Sequence, residues 1–102
     1  MATNKISRED FLSAEPSADA SPLYQALWWI AKGEFESGSE WVRAHDICQS
    51  HEGNKSYDWV HALLHWIDGD DWNSNYWYRS ISETRQGKTV EEEWQVLVNK
   101  LI

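Results

Sequence analysis

The sequence predicts an all-α domain built from two tandem helical hairpins, with a short N-terminal helix before them and a C-terminal capping helix after them. Apolar residues recur at helical spacing in every long segment, and helix start and stop signals punctuate the chain at regular intervals. No segment shows the apolar–polar alternation of a half-buried strand.

Taken in order, Ser7 can cap a helix that has Asp10 at its third position, with Ile6 and Phe11 flanking it as a hydrophobic staple. A short helix is expected near Ser7 to Ser13. Ala14 to Ala20, with Pro16 among small polar residues, reads as a surface linker. Residues 1–20 are thus a short helix and linker, and residues 21–102 the hairpin region of one globular domain. Ser21 followed by Pro22 opens the next helix, which runs to Lys32 and meets Gly33, expected to be its left-handed stop. Its partner is expected from about Phe35 to Gln49, followed by the polar loop Ser50 to Ser56. Asp58 is then expected to cap a helix from Trp59 to Asp68, and Gly69 to stop it. Asp70 or Asp71 caps a further helix to about Ser82, and Glu83 to Lys88 is a loop. Thr89 with Glu92 forms a capping box for the last helix, through Trp94, Leu97, Val98 and Leu101.

Shifting the chain on itself by 36 residues superimposes Leu23–Asp46 on Trp59–Ser82 and pairs Ala26 with Ala62, Leu27 with Leu63, Gly33 with Gly69, Trp41 with Trp77 and Arg43 with Arg79. The matches fall on the interhelical glycine and on apolar positions, where a repeated hairpin needs them. The segments AKGEFESGSEWVRAH and IDGDDWNSNYWYRSI resemble the turn and second helix of tetratricopeptide-type repeats. Gly33, Gly38 and Trp41 carry the likeness in one copy, and Gly69, Ser74, Trp77 and Tyr78 in the other. The period of 36, Asp71 at a usually aromatic position and the missing terminal prolines depart from that pattern. From Ala26 onward the chain also resembles small proteobacterial helical proteins of uncharacterised function. The repeat resemblance implies a stacked helical surface that holds a protein or peptide partner.

Composition narrows the function classes. Nine Lys plus Arg against seventeen Asp plus Glu give a net charge of −8, which opposes binding to nucleic acid or to an anionic membrane. Apolar runs such as Ala26 to Ala31 are too short to span a bilayer. Met1 to Asp10 has no apolar stretch of the signal-peptide kind, and a lone Cys48 forms no internal disulfide, so a cytoplasmic location is expected.

Four histidines lie between positions 45 and 65. At about 100° per residue, the apolar residues from Trp59 to Ile67 fill roughly 200° of arc and leave His61, His65 and Asp68 on the other face. That face reads either as solvated or as a ligand face, since His-x-x-x-His on a helix can present two imidazoles to one metal. Asp68 would then be a third ligand or an acceptor that fixes a ring tautomer. A zinc-protease motif is excluded, because Ala62 stands where its glutamate would be. His45 falls among Trp41, Val42, Ala44 and Cys48. It is expected to point inward, either as a satisfied core histidine or to meet His61 or His65 across a helix interface. Cys48 reads as part of the apolar stripe rather than as a nucleophile. Of eight tryptophans, Trp28, Trp41, Trp59, Trp66, Trp77 and Trp94 are assigned to the core. Trp29 and Trp72, with Tyr76 and Tyr78 nearby, are the candidates for an exposed interaction surface.

The sequence therefore predicts a protein–protein interaction or scaffold module, in which the C-terminal helix either covers the exposed end of the stack or pairs with a second copy of the chain as a homodimer. No catalytic constellation is readable and no cofactor is expected. The alternative is a metal- or small-ligand-binding protein that uses His61 and His65 with His45 or Asp68, holding a divalent transition metal.

Overall fold

Five of the six helices among the described residues begin where a side chain satisfies a backbone N–H that has no partner within the helix; the third follows Gly38 and has no side-chain cap. In the computed structural model, which describes residues 7–102, Ser7 accepts from Asp10 N at 3.1 Å to start α1 (Arg8–Phe11), and Ser21 accepts from Tyr24 N at 3.2 Å to start α2 (Pro22–Lys32). Ile6, the other half of the expected staple, lies outside the described residues. α3 spans Ser39–Ser50, α4 Lys55–Ile67, α5 Asp71–Ser80 and α6 Val90–Leu101. Asp70 caps α5 through Asn73 N at 3.2 Å, and Thr89 caps α6 through Glu92 N at 3.1 Å, both as the sequence indicates. All regular structure among the described residues is helical.

Three boundaries differ from expectation. α4 starts one turn early, at Lys55, because Asn54 accepts from Ser56 N and takes the cap assigned to Asp58. Asp58 instead turns back, and both its oxygens accept from Gly53 N at 3.2 Å, closing the preceding loop. Gly33 ends α2 with an ordinary φ of −82°, and the left-handed turn falls on Glu34 and Phe35 at 57° and 59°. α3 consequently begins only at Ser39. Glycine is still needed at position 33, since a Cβ there would stand 2.8 Å from Glu40 Cβ. Gly69 does adopt the left-handed stop, with φ 81°.

The pairs α2/α3 and α4/α5 each pack together, and α3 packs on α4, an arrangement compatible with two tandem hairpins. α4 is the hub, in contact with α2, α3, α5 and α6. Its Val60, Ala62, Leu63 and Leu64 are fully enclosed. α6 closes the core from one side: Trp94 donates its indole N–H to Leu27 O at 2.9 Å and takes the edges of Phe11 and Phe35 against its ring. Trp94, Leu97 and Val98 of the apolar stripe are thus buried within the chain, and Val90 and Leu101 are half-buried. Phe11 also stacks on Tyr24 at 4.5 Å, which joins α1 to the same core. No helix among the described residues is long and apolar enough to cross a membrane.

Candidate metal centre

His45 lies on α3, and His61 and His65 lie one turn apart on α4. Because α3 packs along α4, the three rings converge. Ring centroids are 4.7 Å apart for His45 and His61, 5.4 Å for His45 and His65, and 5.0 Å for His61 and His65. One ligating nitrogen from each falls within 4.8 Å of the others. Three imidazole nitrogens on one tetrahedral ion stand about 3.3 Å apart, from metal–nitrogen bonds of about 2.0–2.1 Å, so rotations of the rings close the set.

Tryptophans wall the cluster on two sides. Trp41, one turn before His45, stacks on it at 4.8 Å, and Trp77 of α5 stacks on His61 at 4.4 Å. Trp41 is fixed by donating its indole N–H to Leu64 O at 2.8 Å. These walls were assigned only to the core, and their positions one turn from a histidine and at the repeat-related site were the available signal.

The face carrying His61 is not solvated. His61 is 3% exposed, since α3 and α5 cover the side of α4 that the apolar arc leaves open. Burial, followed by the nearby charges of His45 and His65, pushes its pKa down to about 3. Burial and His65 likewise lower His45. Neutral imidazole is the form that ligates a metal, so His45 and His61 are held in that form at neutral pH. His61 Nδ1 is buried without a hydrogen-bond partner, and such an atom costs stability unless something binds it.

Asp68 lies outside this group of three. As the C-cap of α4 it accepts from Asp70 N at 3.0 Å, and its other oxygen faces His65 Nδ1 at 3.4 Å. At that distance His65 Nδ1 makes no hydrogen bond, so the carboxylate faces the ring without fixing its tautomer. Cys48 is buried one turn beyond His45, and burial raises its thiol far above the ordinary range, so it supplies no thiolate.

The expected aromatic surface is corrected at two positions. Tyr78 is buried at 3% exposure and donates its hydroxyl to Glu93 Oε2 at 2.8 Å, because it falls on the inner side of α5. Trp29 is half-buried, with Arg43 over its ring at 4.8 Å. Trp72 and Tyr76 remain exposed, 72% and 47% respectively. Comparison with known family models, curated proteins and solved structures finds no match.

Proposed function

We propose that this protein binds one divalent transition-metal ion through His45, His61 and His65. The observation that carries the reading is the convergence of three imidazoles from two helices, one of them buried with an unpartnered ring nitrogen. The donor set is all nitrogen, which suits zinc, copper and nickel and disfavours calcium and magnesium, whose ligands are oxygens. Three protein ligands leave a fourth position for water or an incoming ligand. A small rotation of the His65 ring would bring its Nδ1 into a hydrogen bond with Asp68, now 3.4 Å away, and Trp41 and Trp77 limit the movement of His45 and His61.

The test is elemental analysis of untagged protein purified without chelator, with zinc, nickel and copper titrations followed by tryptophan fluorescence. Trp41 and Trp77 lie against the ligand rings and report binding directly. One ion per chain is expected, with the response lost in His45→Ala and His65→Ala. Absence of both metal and fluorescence response overturns the reading. A second reading, an interaction module, is favoured by the exposed stacked pair Trp72 and Tyr76.

A further inference from the structure

α5 lies at the outside of the molecule, with Ser74 and Tyr78 directed inward. On the opposite side Trp72, Asn75, Tyr76 and Arg79 fall within about 100° of arc, and all four are exposed. Trp72 and Tyr76 stack with centroids 6.1 Å apart and planes 10° from parallel. The spacing i, i+4, i+7 of Trp72, Tyr76 and Arg79 is that of a helix–helix seam. Charge is polarised along the helix: exposed Asp71 opens it at the edge of this face, and Arg79 stands on the face in the last turn.

We propose that this face is a homodimer interface in which α5 packs antiparallel against α5 of a second copy. The order acid, aromatic pair, guanidinium is self-complementary under a two-fold axis, the symmetry that closes a dimer. The axis passes near Asn75 and Tyr76. It sets Trp72 beneath the partner's Arg79, a cation–π contact, and brings Asp71 close to the same guanidinium. Asp71 is ion-paired to Arg85 at 3.2 Å, yet its side chain remains 72% exposed and open to a second contact. Antiparallel alignment also sets the two helix dipoles head to tail. A basic partner segment would leave Arg79 facing a like charge, and an acidic one would do the same to Asp71. A second copy satisfies both ends.

The two aromatic side chains expose roughly 270 Å² per copy. An interface built around them falls at the small, weak end of the range. This surface shares no residue with the histidine cluster, although Tyr76 meets Trp77 edge-on at 5.2 Å, so the experiment is run on the full chain in chelator to keep metal binding out of its outcome. Sedimentation velocity from about 10 µM to about 1 mM is expected to show a 12.0 kDa species giving way to one of twice that mass. Trp72→Ser and Arg79→Glu each weaken association at least tenfold, and the double swap Asp71→Arg/Arg79→Glu restores it. Asn75→Lys, at the centre of the face, gives the same loss and serves as a second variant should Trp72→Ser fold poorly. A single 12.0 kDa species at about 1 mM overturns the proposal, as does a dimer insensitive to all three single substitutions.

Discussion

Replacing His61 by leucine should stabilise the metal-free protein while abolishing its metal site. His61 is enclosed, its Nδ1 has no partner, and its pKa is pushed down to about 3. Removing an unpartnered buried polar atom recovers about 1–3 kcal/mol, and loss of the stack on Trp77 gives back about 0.5–1.5 kcal/mol. The net gain near pH 7.5 is therefore about 1 kcal/mol. It should grow on acidification. The unfolded chain takes up a proton at His61 near pH 6.5, whereas the folded chain resists it until about pH 3, so stability is lost progressively as pH falls through that window. At pH 5 the wild-type penalty from this one group is about 2 kcal/mol, from 1.5 pH units at about 1.36 kcal/mol each. The leucine variant escapes it, and its advantage should reach about 3 kcal/mol at pH 5. Urea unfolding at both pH values in chelator measures the difference directly. A leucine variant less stable than wild type at pH 7.5, with an unchanged pH slope, refutes the reasoning.

Zinc at about 100 times its Kd should stabilise the wild-type protein by about 2.7 kcal/mol and leave His45→Ala unmoved, read as the shift in urea midpoint. Asp68→Asn should weaken metal affinity about 10–100-fold at unchanged stoichiometry, by competition with a chelating dye, because the ring of His65 loses its carboxylate. Glu93→Ala should cost about 4 kcal/mol in urea unfolding: Glu93 is fully buried and accepts from Tyr78 OH, Gln86 N and Gly87 N at 2.8, 2.8 and 2.7 Å. Gly33→Ala should cost about 1–3 kcal/mol from the 2.8 Å approach to Glu40, whereas Gly69→Ala should cost about 1–2 kcal/mol from its left-handed backbone alone. Thermal melts of the two variants beside wild type check both values.

What the sequence determined by itself was local. Ser7, Ser21, Asp70, Thr89 and Gly69 act where their side chains or backbone freedom say they should, since a cap or a left-handed stop is settled within a few residues. The competition between Asn54 and Asp58 was also local, but both residues are good caps and only the loop closure through Gly53 separates them. Periodicity placed His61 opposite the apolar arc of α4 and could go no further. A helical wheel distinguishes faces, not neighbours. Whether a polar face meets water or another helix depends on chain segments far away in sequence. Here α3 brings His45 and Trp41 to that face, and α5 brings Trp77. The same limit hid Tyr78, whose partner Glu93 lies 15 residues on in another helix. The helices and most of their caps belong to the sequence, while the starts of α3 and α4 do not. The enclosure that buries His61 and brings His45 and His65 beside it belongs to the packing around α4, because desolvation is a property of everything that surrounds a group at once.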